Sequence, residues 1–261
     1  MNQLDIFRLD DKVAFVAGGG GAIGSALAVA LAEAGAKVAV SGRSQDALDA
    51  AVQRIDEAGS SGFAAAGDMT DRQAAEDAVA RTADHYGRLD IVVNAIGGGA
   101  GKVLFDAQDY PIPEWDWIME LNLRAAVLPT QAAVKAMIEA GNGGRIINIS
   151  SVRADLGINA GYSAYVAAKG AISSLTRQWA TEWAKYGITV NAIAPTFVDT
   201  PQVAMLLEDP DFKAGVVNRI PIGRVGEPSD LIGPVLLFAS DASSFVTGQI
   251  LGIDGGLTAT Q

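Results

Sequence analysis

The chain has 261 residues, 49% of them hydrophobic, and carries 19 basic against 30 acidic side chains, which gives a formal net charge of −11. A net anion is repelled by nucleic-acid phosphates and by anionic lipid, so neither nucleic acid nor a membrane is an expected partner. With no cysteine and a single histidine, His85, the chain lacks the usual ligands of a zinc site, so no metal site is predicted.

The N-terminal segment and the first apolar run are informative about location. Residues 1–12 contain no apolar stretch preceded by basic residues, so no signal peptide is predicted and a cytoplasmic location is expected. The uncharged run 13–32 is about as long as a membrane helix. However, Gly18 to Gly21 lie inside it, and each glycine costs a helix about 1 kcal/mol relative to alanine. We therefore predict a strand, a glycine loop and a helix in this run.

Short apolar segments alternate with longer helical ones along the chain. Strands are predicted at 13–17, 37–41, 62–66, 90–94, 145–150 and 188–194, and helices are predicted to begin near Ala22, Asp46, Asp71, Pro113 and Ser163. Continuous apolar strands separated by helices are typical of a parallel sheet buried on both faces. We predict α/β architecture, with a single doubly wound (Rossmann) domain over residues 1–261. The segment 200–224 contains three prolines and does not continue the alternation of strands and helices. It is either a substrate lid or a plain connection.

The glycine loop after the first strand indicates a dinucleotide site. Glycines between a strand and a helix let backbone N–H groups approach a pyrophosphate, and the helix N-terminus favours its charge. Gly18 and Gly21 are therefore candidate cofactor-binding residues. A phosphoryl-transfer loop has little support, because Gly24 is followed by Ser25 and Ala26 and not by the lysine that such a loop needs.

The end of the second strand normally selects between the two nicotinamide dinucleotides. It carries no acid that would hold a ribose hydroxyl, whereas Arg43 offers a planar fork for a 2′-phosphate and Ser41 offers a hydroxyl. NADP is therefore favoured, and NAD is possible if Arg43 only stacks on adenine. Asp68, after the third strand, is placed to reach the adenine edge. Alternatively, Asp68 or Thr70 caps the helix that follows.

Tyr165 and Lys169 form the candidate acid–base pair. Their spacing of four places both side chains on one face of the helix that follows Ser151. An ammonium beside a phenol lowers the pKa of the phenol from about 10, which makes tyrosine a usable acid–base group near neutral pH. On its own, a Tyr-x-x-x-Lys pair is common and usually structural.

Taken together, these motifs resemble the short-chain dehydrogenase/reductase family. The resemblance extends from Lys12 to the Asp-Gly-Gly at 254–256, and it rests on the glycine loop, Asn94, Asn122, Ser151, Tyr165, Lys169 and the segments 186–195, 221–231 and 244–256. It implies hydride transfer between a nicotinamide and a carbinol or carbonyl carbon. In that scheme Tyr165 passes the proton and Ser151 holds the substrate oxygen. Lys169 binds the nicotinamide ribose and lowers the tyrosine pKa, and Asn122 supports a water that links Lys169 to solvent.

The resemblance also implies further cofactor contacts, and at two positions it leaves an alternative catalytic residue open. The additional cofactor-binding candidates are Ile23, Asp68, Met69, Asn94, Tyr165, Lys169, Pro195, Val198 and Thr200. Ser151 lies fourteen residues before Tyr165, one more than is usual, so Ser150 is the alternative for the serine role. Tyr162 is a rival phenol, but its fourth neighbour is Val166 and not a lysine.

Candidate substrate contacts lie in the loops after the strands. The glycine-rich loop that follows Asn94 ends in Lys102, Arg153 follows the two serines, and Tyr162 comes later. This polar rim predicts a small hydroxylated substrate, neutral or anionic, such as a sugar, a sugar acid or a polyol. Alternatively, Arg153 and Asp155 only pair with each other.

Two other functions and one assembly follow from the resemblance. A 3-oxoacyl thioester reductase shares all of these motifs, although members that dock an acidic acyl carrier usually have arginines at the positions of Glu139 and Thr181. A non-catalytic dinucleotide sensor usually loses the tyrosine or the lysine, and this chain keeps both. The family also implies a homotetramer packed through the helices of residues 115–137 and 163–185, where Trp179 and Trp183 are either interface or core.

Overall fold

The computed structural model describes residues 3–99 and 104–260, and within them seven strands form one parallel sheet. The strands are β1 (Val13–Ala17), β2 (Lys37–Ser41), β3 (Gly62–Ala64), β4 (Ile91–Asn94), β5 (Gly144–Ile149), β6 (Ile188–Pro195) and β7 (Ile250–Ile253). Their order across the sheet is β3-β2-β1-β4-β5-β6-β7.

Helices connect the strands and cover the sheet. They are α1 (Ala22–Glu33), α2 (Gln45–Glu57), α3 (Arg72–Tyr86), α4 (Ile112–Met119), α5 (Ala125–Ala140), α6 (Ser163–Trp183), α7 (Ala204–Leu207), α8 (Pro210–Val217) and α9 (Ile232–Ala239). A π-helical turn, Glu120–Arg124, joins α4 to α5. Among the described residues, no helix combines the length and the apolar character that crossing a membrane requires.

The sheet is buried on both faces, as predicted from its continuous apolar strands. Along β1, Ala14 and Val16 belong to an apolar cluster with α1, α2 and α9. Val13, Phe15 and Ala17 point the other way, into a cluster with α3, α5 and α6. Because side chains alternate along a strand, two such clusters require every position of β1 to be apolar. The predicted doubly wound α/β architecture is confirmed.

The six predicted strands and five predicted helices are all found with small shifts in their bounds, but α7, α8 and α9 were not predicted. The third strand ends at Ala64 and not at residue 66, and the helix predicted near Pro113 is divided by the π-helical turn. The strand β7 was not predicted. It has only four residues, and its middle pair, Leu251 and Gly252, is exposed, so it lacks the apolar run that marks the inner strands.

The order of the strands places a crevice at one end of the sheet. From β1 the chain winds outward through β2 and β3, and it then returns to the other side of β1 to form β4. In open α/β sheets, ligands bind outside the carboxyl ends of the strands at such a switch point. The glycine loop, the loop after β4 and the serines after β5 all lie at this end.

The segment 200–224 folds into two short helices. Leu207, Val216, Ile220 and Val225 form a small apolar cluster of their own beside the main sheet. Asp209 caps α8 by accepting hydrogen bonds from the first N–H groups of that helix. The segment is therefore more ordered than a plain connection.

Candidate active site

A cleft of about 550 Å³ opens at the carboxyl ends of the strands. Its walls come from the glycine loop, the loop after β4, the start of α6 and the chain that follows β6. The residues predicted from sequence that line it are Gly21, Ile23, Ser151, Arg153, Tyr162, Tyr165, Lys169, Pro195, Val198 and Thr200. Lys102 lies outside the described residues. The cleft therefore brings together residues from distant parts of the chain.

The glycine loop leaves room and hydrogen-bond donors for a pyrophosphate. Gly18 has a φ of +84°, and a β-carbon built on it would lie 2.9 Å from the Ala95 backbone, so a larger residue does not fit. Gly21 precedes α1 and offers no side-chain cap, and there is no acidic residue in the first turn. Among the described residues, no backbone acceptor takes the N–H groups of residues 22–24. An uncapped helix N-terminus of this kind fits a bound anion.

At the end of β2, the Arg43 side chain is accessible to a ligand, whereas the Ser41 side chain is not. Arg43 is exposed and makes no ion pair with any described residue, so its guanidinium is available to a phosphate. Ser41 is fully buried, and its hydroxyl donates to the Met69 sulfur at 3.6 Å. The Ser41 hydroxyl and Met69 therefore pack beneath the site.

Asp68 shapes the loop after β3 and does not cap a helix. Its carboxylate accepts from the Thr70 N–H at 2.9 Å and from the Thr70 hydroxyl at 2.8 Å. Burial alone would raise the pKa of Asp68, but these hydrogen bonds and the charge of Arg43 together lower it. The cap of α3 is Asp71, which accepts from Ala74 N–H, so the alternatives that Asp68 or Thr70 caps this helix are wrong.

Asn94 lies below the cleft and ties four elements together. It is buried at the end of β4, and its Nδ2 donates to the Thr130 hydroxyl at 2.7 Å and to the side-chain oxygen Oδ1 of Asn148 at 2.8 Å. Asn148 in turn donates to Thr176 of α6 at 2.9 Å. Because buried amides are costly unless bonded, this chain of hydrogen bonds specifies how α5 and α6 seat on the sheet.

Ser151, Tyr165 and Lys169 meet on the cleft wall. The Ser151 hydroxyl donates to the Pro195 carbonyl at 3.4 Å and accepts from the Arg153 N–H at 3.1 Å, and it is close enough to the Tyr165 phenol to influence its pKa. The Lys169 ammonium lies 5.8 Å from the Tyr165 ring centroid and donates to the Ile149 carbonyl at 2.9 Å. The placement of Tyr165 and Lys169 follows from α6 beginning at residue 163, which puts them one turn apart.

Ser150, the alternative serine, faces away from the phenol. Its hydroxyl is hydrogen-bonded to the Ser173 hydroxyl at 2.8 Å and donates to the Lys169 carbonyl at 3.2 Å. Both partners belong to α6, so Ser150 anchors that helix to the end of β5. This geometry favours Ser151 as the serine that meets a substrate.

The pKa of Tyr165 differs from the one predicted for a phenol beside a lysine. Burial raises the pKa of the Tyr165 phenol above its usual value, and Ser151 opposes this rise only in part. Burial also lowers the pKa of Lys169 to about 8. The predicted fall in the tyrosine pKa is not found, because desolvation outweighs the lowering by Ser151 and by the charge of Arg153, and the Lys169 ammonium is directed at the Ile149 carbonyl. Tyr165 is protonated at neutral pH in this state.

Asn122 holds the loop that follows β4. It is buried in the π-helical turn, and its Oδ1 accepts from the Gly98 N–H at 2.9 Å. Its Nδ2 donates to the carbonyls of Gly98 and Ile118, both at 3.0 Å. A β-carbon on Gly97 would lie 2.9 Å from Asn122 Oδ1 and 3.1 Å from Lys169 Nζ. Asn122 and Lys169 therefore approach the same glycine from the protein side.

Arg153 is a cleft cation without an acidic partner. Its residue is only 8% exposed, and its guanidinium makes one long hydrogen bond, to the Gly157 carbonyl at 3.4 Å. No acidic side chain among the described residues lies within 4 Å of it, so the alternative pairing with Asp155 is wrong. Burial, followed by the charge of Arg219, lowers the pKa of Arg153.

Tyr162 lines the cleft next to these groups. Its ring meets that of Tyr165 edge-on, with centroids 6.4 Å apart. Burial raises the pKa of Tyr162, while the charges of Arg153 and Arg219 oppose the rise. Tyr162 therefore contributes a neutral hydroxyl to the cleft.

Sequence reasoning missed Gln202, which also lines the cleft. It lies in segment 200–224, which was predicted to contribute substrate contacts, but this segment has neither strand nor helix periodicity that would single out one of its residues. Among the described residues, no group of three His, Asp or Glu side chains is arranged to hold a metal ion.

Comparison with known proteins gives consistent matches over the whole chain. A family model described as enoyl-(acyl carrier protein) reductase matches residues 18–258. Gluconate 5-dehydrogenase of Gluconobacter oxydans is 35% identical over 260 residues, which is 100% of both chains. A 3-oxoacyl-acyl-carrier-protein reductase of Thermotoga maritima is 36% identical over 96% of this chain and 99% of its own. The crystal structure of a gluconate 5-dehydrogenase from Burkholderia cenocepacia, in complex with NADP and tartrate, has a TM-score of 0.91 at 34% identity and covers 99% of each chain.

Proposed function

The chain belongs to the short-chain dehydrogenase/reductase family, and on that premise we propose that it is an NADP-dependent dehydrogenase of small sugar acids. As an oxidoreductase acting on a CH–OH group, it interconverts a secondary alcohol and a ketone by hydride transfer. The observation that carries the substrate class is Arg153, a nearly buried guanidinium in the cleft with no acidic partner among the described residues.

A carboxylate on the substrate supplies the anion that Arg153 lacks. Arginine is rarely buried unless it is paired, because taking its charge out of water costs several kcal/mol. Its planar fork binds a carboxylate through two charge-assisted hydrogen bonds. The relative from Gluconobacter oxydans is named for gluconate, a hydroxylated carboxylate, and the Burkholderia cenocepacia structure contains tartrate, which is another. Both comparisons support a sugar acid in this cleft.

Residues on one wall of the cleft carry out the separate steps of the reaction. In the oxidation direction the alcohol loses a hydride from its carbon and a proton from its hydroxyl, and a ketone remains. A bound NADP would supply the acceptor for that hydride, its nicotinamide ring. Ser151 holds the substrate oxygen. Tyr165 takes the hydroxyl proton after its own proton has passed to solvent by way of Lys169 and its water, so that the phenolate is the acceptor. In the reduction direction Tyr165 returns the proton, for which a phenol kept protonated by burial is suited.

Lys169 and Asn122 support this proton transfer. Lys169 binds the nicotinamide ribose and supplies the positive charge that favours the phenolate once the proton has moved. Asn122 holds the loop after β4 against Lys169 and supports a water that connects the lysine to solvent. These roles rest on the family and on the convergence of both side chains at Gly97.

The cofactor residues surround the same crevice. We propose that NADP is bound by Gly18, Gly21, Ile23, Arg43, Asp68, Tyr165, Lys169, Pro195, Val198 and Thr200. The side chains of Ser41, Met69 and Asn94 are buried beneath the site, so these three residues support the cofactor site through backbone and packing. The unpaired guanidinium of Arg43 suits the 2′-phosphate, and NADP is the dinucleotide in the Burkholderia cenocepacia structure. NAD remains usable if Arg43 stacks on adenine instead. Segment 200–224 acts as a lid on the single domain.

The second candidate function is reduction of a 3-oxoacyl thioester. The Thermotoga maritima relative supports it, because its similarity is comparable to that of the gluconate enzyme. Glu139 and Thr181 oppose it, since both are exposed and neither is a cation that an acidic carrier protein would meet. A non-catalytic sensor is opposed by the retention of Tyr165 and Lys169 on the cleft wall.

We further propose that the chain works in the cytoplasm as a homotetramer. Ile112 and Trp117 of α4 are 67% and 43% exposed, and large apolar side chains exposed on one helix are typical of an interface. Trp179 is buried within the chain, with Trp183 stacked on it at 5.1 Å, so this pair belongs to the core. Sedimentation equilibrium tests the assembly, and a mass equal to one chain would refute it.

Nicotinamide absorbance with defined substrates tests the proposed reaction. The purified protein is given NADP or NAD with D-gluconate, tartrate, sorbitol or a 3-hydroxybutyryl thioester. Turnover of a hydroxylated carboxylate with NADP, and little with sorbitol, is the expected result. Turnover of the thioester alone would establish the second candidate. Turnover of sorbitol as fast as gluconate would overturn the role given to Arg153.

A further inference from the structure

Gln202 is a cleft residue to which the proposed reaction gives no task. It lies between the end of β6 and α7, on the wall opposite the loop that follows β4. A β-carbon built on Gly98 would overlap the Gln202 amide nitrogen, so the two residues are in direct contact across the cleft. Gly98 has a φ of +142°, a conformation that side-chain-bearing residues rarely adopt. Glycine at 98 thus makes the space that the glutamine amide occupies.

The Gln202 amide touches Gly98 without bonding to it. The N–H and the carbonyl of Gly98 are both taken by Asn122 from the other side. Gln202 makes no hydrogen bond to any residue that the structure describes, although a side-chain amide has two donor hydrogens and an acceptor oxygen. Gln202 is exposed, so this hydrogen-bonding capacity is open to solvent or to a ligand that enters the cleft.

The surroundings of Gln202 single it out further. Most other side chains that this stretch contributes to the cleft wall are apolar, among them Pro201, Val203, Met205 and Leu206, and the remaining polar ones are the short threonines Thr196 and Thr200. A polar group in a mostly apolar wall fixes the orientation of a ligand, because few places on that wall offer a partner to a ligand's polar atom. An amide both donates and accepts, as a hydroxyl does.

We propose that Gln202 is a specificity residue that hydrogen-bonds a non-reacting hydroxyl of the bound substrate. The assignment rests on the proposed sugar-acid function. It divides recognition among three groups: Arg153 binds the carboxylate, Ser151 and Tyr165 bind the reacting oxygen, and Gln202 binds a further hydroxyl on the chain. A carboxylate lacking that hydroxyl leaves the amide unpaired and is the poorer substrate.

The test compares gluconate with gluconates that each lack one hydroxyl, using the full-length wild type and Gln202→Leu. One neutral hydrogen bond corresponds to a change of roughly tenfold or less in kcat/KM. In the wild type, removing the hydroxyl that Gln202 reads is expected to lower kcat/KM about tenfold relative to gluconate. In Gln202→Leu this difference disappears for that one analogue, while the other analogues keep their wild-type ratios. A purely structural role for Gln202 would change all substrates alike.

Glu208→Leu is the matched control, because Glu208 follows α7, is exposed and does not line the cleft. It is expected to leave every ratio unchanged. If gluconate is turned over and Gln202→Leu keeps the wild-type ratio for every analogue, the role of Gln202 is refuted and the proposed function stands. If the wild type turns over no sugar acid, both the proposed function and this assignment are refuted.

Discussion

Replacing Arg153 with methionine should weaken catalysis and strengthen the fold at the same time. Methionine retains an unbranched apolar stem of similar reach but carries no charge. A carboxylate held by a guanidinium is stabilised by about 1.5–3 kcal/mol, which corresponds to about a 10- to 150-fold loss in kcat/KM for gluconate. Because this contact is present in the ground state as well as in the transition state, the loss should appear mainly in KM.

The stability of the same variant should change in the opposite direction. In the free protein Arg153 is nearly buried, has one long hydrogen bond and no acidic partner among the described residues. An apolar side chain removes the cost of desolvating that charge, so the free energy of unfolding should rise by about 1 kcal/mol. In a chain of this size such a change raises Tm by about 2–4 °C.

Steady-state kinetics with gluconate and sorbitol, together with thermal unfolding without ligand, check both parts. Arg219→Met is the matched control, since Arg219 is exposed, acts on Arg153 only through its charge and does not line the cleft. It should change KM by less than about threefold. An unchanged KM for gluconate in Arg153→Met, or a Tm that falls by several degrees, would show that Arg153 serves the fold and not the substrate.

Three further changes test the cofactor site, the acid–base group and the chain after segment 200–224. Tyr165→Phe should lower kcat by about 10²–10⁴-fold and raise the Kd for NADPH, measured by fluorescence, by no more than about tenfold, the loss of one hydrogen bond; a kcat within threefold of wild type would assign the proton transfer elsewhere. Arg43→Leu should raise the KM for NADP about tenfold and leave that for NAD unaltered, and equal changes for both would remove the 2′-phosphate contact. Hydrogen bonding with Arg224 lowers the pKa of Asp230 from 3.8 to about 2, so its stabilisation is present above pH 4 and lost as the pH falls to 2. The Tm difference between wild type and Asp230→Asn should therefore be full at pH 6 and absent at pH 2, and a constant difference would refute the ion pair as its cause.

The parts of the fold that could be predicted were those that periodicity specifies. Every residue of β1 is apolar because both faces of the strand are covered, and this pattern alone predicts a central parallel strand. The edge strand β7 has an exposed middle and a glycine, so no local pattern distinguishes it from a loop. Its place in the sheet depends on pairing with β6, a long-range contact that sequence periodicity does not contain.

In the candidate site, too, some features could be predicted from the sequence and others could not. Spacing along one helix predicted that Tyr165 and Lys169 share a face, and the structure places both on the cleft wall. The sequence could not predict that Ser41 turns inward to Met69, nor that Arg153 lacks an acid partner, because Asp155 lies only two residues away. It also could not reveal Gln202, whose meaning depends on contact with Gly98, more than a hundred residues earlier.

The distribution of charge explains how a chain of net charge −11 is suited to two anionic ligands. Acidic side chains are few where the anions are proposed to bind: the first turn of α1 has none, and Arg153 has no acid within 4 Å among the described residues. Arg43 makes no ion pair with a described residue, although its charge acts on the Asp68 carboxylate. Exposed acids farther away are screened beyond about 8–10 Å at physiological salt, whereas charges in a buried cleft act in a lower dielectric and are screened much less. The overall charge therefore governs which large partners the protein repels, and the few cations of the cleft, left unpaired at a cost to stability, govern which small molecules it binds.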